Sequence, residues 1–137
     1  MDDYKRAYED VNLDVIKNNV DIIMKRTKPG TKALIVVKAD AYGHGDVPVA
    51  RALESRADYF AVATGPEAIN LRENGITKPI LILGFVAYEE YEDLINNDVD
   101  LVIFDKESAD ALSEAAKKIG KTAKCHVKVD TGMRRIG

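Results

Sequence analysis

The sequence contains one cysteine, Cys125, and no tryptophan among its 137 residues. A lone cysteine cannot close an intrachain disulfide, so the fold must rest on a buried core; cytosolic residence is the natural reading of that usage. One cysteine and two histidines also fall short of the four ligands of a Cys/His structural zinc site, and no metal is expected. Long apolar runs are missing as well. The longest, Ala33–Val37 and Ile80–Leu83, have strand length, far below the ~20 residues of a membrane helix. Positive charge is not in surplus: Lys and Arg total 20 against 23 Asp and Glu, a net charge of −3. That balance, with no strongly basic stretch, argues against a nucleic-acid partner. The opening Met1-Asp2-Asp3-Tyr4 has no apolar segment of the secretory type. Length is the last shortage. One domain is expected at most, and a complete eight-stranded βα barrel needs about 250 residues.

What the sequence does have is alternation. Five β-rich runs recur: Ala33–Val37, Tyr59–Ala63, Pro79–Leu83, Asp100–Phe104 and Lys124–Val129. Their starts lie 20 to 26 residues apart. That is too far for hairpins and right for a strand, a crossover helix and two short loops. Continuous apolar runs suit strands buried on both faces. The fold class expected is α/β: about five parallel strands joined by right-handed helical crossovers.

The intervening segments carry helix punctuation. Thr64-Gly65-Pro66-Glu67 has the form of a capping box with proline in the first turn, and Gly75 follows that segment. Asp105 can cap the segment running to Ile119, with Gly120 as a left-handed stop. Asp46 precedes a further start at Val47. Ahead of the first strand, Leu13, Ile16, Val20, Ile23 and Met24 share one helical face, with Asn12 as its cap. Residues 4–11 are expected to be extended.

Two local patterns carry chemistry. In Val37-Lys38-Ala39-Asp40-Ala41-Tyr42-Gly43-His44-Gly45, Lys38 ends an apolar strand and shares a face with Leu34 and Val36. Ligands bind at the carboxyl ends of parallel strands. A lysine desolvated there has a lowered pKa and becomes a Schiff-base nucleophile; the plainer alternative is a strand-end lysine reaching into solvent. In the last run, His126, Lys128 and Asp130 share one face, and Cys125, Val127 and Val129 the other. Either an edge strand with a wet face or a functional site would produce that line of polar side chains.

VKADAYGHG resembles the cofactor-lysine signature of alanine racemases, which use pyridoxal 5′-phosphate (PLP) on a βα barrel. The match is contiguous over nine residues. Amino-acid decarboxylases with the same kind of PLP barrel share the lysine but do not usually continue as AYGHG. The resemblance implies that Lys38 carries PLP covalently and that Tyr42 hydrogen-bonds its phosphate. His44 is given a loop-structuring role, and Gly43 and Gly45 suit a tight loop with unusual backbone angles. KVDTGMRRIG, residues 128–137, looks like a second segment of the same family. On that pattern Arg135 contacts the PLP phenolic oxygen and the substrate carboxylate. Lys128 matches a lysine that is carbamylated in several members; as an anion it would pair with Arg135 and hold its guanidinium fork. Met133 matches a residue whose backbone lies near the substrate. Arg134 is given no role.

The implied activity is interconversion of L-alanine and D-alanine, which supplies D-alanine for bacterial peptidoglycan, in a cytoplasmic homodimer. Residues 1–137 then read as the N-terminal portion of the PLP-binding barrel, a partial TIM barrel, with residues 1–11 meeting a C-terminal β-domain. Racemisation needs two opposed bases. Lys38 would be one; the other, in the family, is a tyrosine from the partner subunit's C-terminal domain. None of the six tyrosines here matches it, so the 137 residues alone are expected to have little or no activity. Two other readings stay open: a stand-alone PLP-binding module, and a non-catalytic half-barrel that associates with itself.

Overall fold

In the computed structural model, which describes residues 8–137, all five β-rich runs become strands. They are β1 (Leu34–Val36), β2 (Tyr59–Val62), β3 (Ile80–Ile82), β4 (Val99–Ile103) and β5 (Cys125–Val127). The sheet order is β1-β2-β3-β4-β5, with every neighbouring pair parallel. Helices fill the crossovers: α1 (Leu13–Met24) before the sheet, α2 (Lys38–Tyr42) and α3 (Asp46–Leu53) after β1, and α4 (Gly65–Glu73) after β2. A short 3-10 turn (Tyr88–Glu90) runs into α5 (Tyr91–Asn96), and α6 (Lys106–Lys118) precedes β5. Of the extended segment expected over residues 4–11, residues 4–7 lie outside the described residues, and residues 8–11 form neither helix nor strand.

The caps explain where helices begin. Asn12 Oδ1 accepts from the N–H of Asp14 at 3.0 Å and of Val15 at 3.1 Å. Asp105 Oδ1 accepts from Ser108 N–H at 2.8 Å. Glu67 Oε2 returns to Thr64 N–H at 3.2 Å, the backward half of a capping box. One start differs from the sequence reading. Gly45, not Asp46, caps α3, and Asp46 is the first helical residue. Its N–H donates to Asp40 Oδ1 at 2.9 Å, so a side chain from the preceding turn does the capping.

The register divides the sheet into two faces. Val37, Phe60, Val62, Ile80, Ile82, Val99 and Leu101 point to the helices and join Leu53, Leu71, Leu94 and Leu112 in the core. The other face carries Val36, Ala61, Leu81, Asp100, Val102 and His126 in one continuous register. Lys38 and Lys128 follow it two residues beyond Val36 and His126. This second face is concave. Tyr59 of β2 and His126 of β5 have ring centroids 5.8 Å apart. On a flat sheet the three strand spacings between them would come to about 14 Å. Side-chain lean closes part of that gap and curvature of the sheet the rest, as in a barrel wall; among the described residues the sheet does not close, and β1 and β5 are its edges.

Arg72 of α4 secures the lower rim, at the amino ends of β3 and β4. Its guanidinium donates to the carbonyls of Ile76 and Lys78, both at 2.7 Å, and of Asn97 and Asp98, at 3.0 and 2.8 Å. At the upper rim Gly84 packs so closely on the Ala63 carbonyl that an added Cβ would collide with it.

Candidate functional site

Lys38 is the second residue past β1, at the carboxyl end of the sheet, and half-buried. Val37 before it is buried, and its N–H continues the ladder to Ala61 O at 2.9 Å. Beyond Lys38 the backbone turns left-handed. Ala39, Asp40, Ala41 and Tyr42 have φ of 50°, 54°, 50° and 57°. Sequence reasoning assigned unusual angles only to Gly43 and Gly45, which do adopt φ of 90° and 86°. A left-handed turn costs L-residues roughly 1–2 kcal/mol each, so it needs outside support. The Ala39 N–H donates to Glu67 Oε1 at 2.8 Å. The Ala41 N–H donates to Val37 O at 2.9 Å, and Gly45 N–H to Asp40 O at 2.9 Å. His44 Nδ1 lies 3.1 Å from Ala41 O, in keeping with its expected loop-structuring role. The turn leaves Tyr42 exposed at the rim.

The second signature sits at the same pole on the opposite edge. The Lys128 backbone N–H extends the β5 ladder to Ile103 O at 2.8 Å, while its Nζ lies 3.5 Å from Leu83 O at the end of β3. The loop that follows is shaped by Asp130. Its Oδ1 accepts from Gly132 N–H at 2.8 Å and Arg134 N–H at 3.0 Å. These backbone bonds, that of Arg134 foremost, hold the Asp130 carboxyl below the usual carboxylate range. Arg134 takes φ 55° there. Met133 and Arg135 flank it, both exposed.

Both signatures thus lie at the carboxyl end of the sheet, on opposite edges of its concave face. They are not in contact. Four strand spacings separate β1 from β5, and Lys128 reaches the Leu83 carbonyl rather than Arg135. Among the described residues the side chains of Lys38, Tyr42 and Arg135 enter no hydrogen bond with one another. An amine, a phenol and a guanidinium are each hydrogen-bond donors to an anionic group; here they stand on opposite edges of the sheet.

Sequence reasoning passed over a polar cluster deeper in the concave face. Asp100 is 2% exposed. Its Oδ2 accepts from Tyr59 Oη at 2.9 Å and lies 3.3 Å from His126 Nε2. Hydrogen bonding to Asp100, then burial, raises the Tyr59 pKa above its usual value. The available signal was Asp100 itself, an acid opening an otherwise apolar run. Glu67 was legible only as a capping residue; its reach to Ala39 was not.

Comparisons with known proteins fit this geometry. The family model for the alanine racemase N-terminal domain matches residues 11–137. The alanine racemase of Methanococcus maripaludis is 45% identical over 131 residues, covering 95% of this chain and 35% of that protein. Among solved structures, the alanine racemase of Clostridium difficile 630 in complex with cycloserine superposes with a TM-score of 0.85 at 46% identity, covering 92% of this chain and 34% of that one. The Bacillus anthracis enzyme with bound L-Ala-P superposes with a TM-score of 0.84 at 42% identity, covering 97% and 36%. The chain therefore spans about a third of the length of the relatives it matches.

Proposed function

Because the chain belongs to the alanine racemase N-terminal domain family, we propose that it supplies the cofactor-bearing rim of a PLP-dependent racemase that interconverts L-alanine and D-alanine. One observation carries this reading. Lys38 stands at the carboxyl end of β1, facing the second signature across a concave parallel sheet. That pole is where ligands bind on βα barrels.

The residues fit the cofactor chemically. Lys38 would hold PLP through its amine, Tyr42 would donate its hydroxyl to the phosphate, and Arg135 would offer a guanidinium to the phenolic oxygen and the substrate carboxylate. When bound, PLP supplies the electron sink for the pair left on Cα after proton removal. Lys38 Nζ, free as an amine once the substrate amine replaces it on the cofactor, would move the Cα proton on the D-alanine face. Lys128, as a carbamate, would pair with Arg135 and fix its fork, and the Met133 backbone would border the substrate. The second base belongs to the two-thirds of the relatives' length that this chain does not span. The whole protein would act as a cytoplasmic homodimer feeding D-alanine to peptidoglycan.

The test is chemical. Incubation with PLP followed by borohydride reduction and peptide mapping is expected to label Lys38. Labelling spread evenly over the exposed lysines would overturn the cofactor assignment. An alanine racemisation assay on the 137-residue chain alone is expected to be negative, and turnover there would refute the missing-base account.

A further inference from the structure

We propose that Glu67 is a positioning residue for Lys38: its carboxylate fixes the backbone immediately after that lysine and so sets where the amine points. The proposal rests on the cofactor reading above.

The two oxygens of Glu67 do different work. Oε2 serves its own helix, accepting from Ala63 N–H at 2.7 Å and Thr64 N–H at 3.2 Å. Capping α4 needs no more than that. Oε1 turns toward β1 and accepts from Ala39 N–H at 2.8 Å, across 28 residues of sequence. Lys38 is thereby held through both peptide neighbours. On one side the sheet grips Val37 through Ala61 O; on the other Glu67 grips Ala39.

The clamp sits where the backbone most needs one. Ala39 is the first of four consecutive non-glycine residues with positive φ. Each favours other backbone regions. Released from Glu67, the Lys38–Ala39 peptide would be free to turn, and rotation about the Lys38 N–Cα bond would carry the Cα–Cβ bond of Lys38 with it. The site also calls for a carboxylate. Three N–H donors converge on two oxygens, each of which can accept. Glutamine offers one oxygen and points an N–H at the remaining donor. Aspartate keeps the charge but is one methylene short, so it can cap α4 and cannot span to Ala39.

The experiment compares the 137-residue chain with Glu67→Gln and Glu67→Asp. The readout is the rate of PLP–borohydride labelling at Lys38, relative to the exposed Lys106 of α6 as an internal standard. Both variants are expected to label Lys38 about tenfold more slowly or worse, since small displacements of a reacting group carry penalties of that order. Lys106 labelling should not change. Asn12→Ala, which removes the α1 cap, is the control for general destabilisation and is expected to leave Lys38 labelling untouched. Far-UV circular dichroism identifies a variant that fails to fold; Glu67→Asp, which retains the cap, then decides. Wild-type labelling rates in a folded Glu67→Asp would reduce Glu67 to a helix cap and overturn the proposal. If the wild-type chain labels Lys38 no faster than Lys106, the cofactor reading fails instead. Glu67 is then judged by acetic anhydride acetylation of Lys38: a rate changed in Glu67→Asp supports positioning, and an unchanged rate rejects it.

Discussion

Asp100 brings a carboxylate into the concave face, with Tyr59 and His126 on one oxygen and, among the described residues, no donor on the other. A buried polar group with so few partners makes each one count. Tyr59→Phe deletes a hydrogen bond to the buried Asp100, leaves that acceptor short of a partner and keeps the ring in place. It is expected to cost about 2 kcal/mol in urea unfolding; a loss near zero would mean that solvent replaces the phenol. The pH dependence has a definite sign. The Tyr59 pKa is raised above 10.0 in the folded state, so its contribution is complete below pH 10 and fades as pH rises through the raised value. At this scale Lys38, Tyr42, Lys128, Met133 and Arg135 could be named as candidates from sequence because each stands in a contiguous motif. The Asp100 cluster was not, since Tyr59 and His126 lie 41 and 26 residues away and meet it only through register and curvature.

The elements divide in the same way between local and distant causes. Strands were readable from apolar runs, although four are shorter than their runs and β4 keeps the length but starts one residue earlier. Helices with side-chain caps were readable too. A crossover helix between β3 and β4 was expected, but the 3-10 turn at Tyr88–Glu90 and the bounds of α5 were not, because Tyr88-Glu89-Glu90-Tyr91-Glu92-Asp93 offers neither a capping box nor a stop. The left-handed turn of α2 has no local signal in Ala-Asp-Ala-Tyr; its support comes from Glu67 on another helix. Asp105 gives an element-scale test. Its hydrogen bonds with Ser108, side chain first, lower its pKa below 3.8. A lowered carboxylate stabilises above the unfolded value and loses that effect as pH falls through the folded one. Asp105→Ala is therefore expected to lower the denaturation midpoint at neutral pH, with the gap from wild type closing on acidification below pH 3.8. A gap independent of pH would show that the cap acts without its charge.

For the molecule as a whole, open edges dominate behaviour. Val127 and Val129 on the β5 side are 74% and 70% exposed, and Leu34 on the β1 side is 43% exposed. Unpaired edges with apolar side chains recruit other chains. The purified chain is expected to show a mass above monomer by light scattering, and Val127→Lys with Val129→Lys to shift it toward monomer. A wild-type monomer at all concentrations would contradict this. The strand order has one more consequence, for synthesis. Each strand after β1 adds beside the one made just before it, so a chain leaving the ribosome amino end first always presents its newest strand to the next βα unit. The sheet can lengthen in step with translation, with β1 waiting as the fixed outer margin throughout.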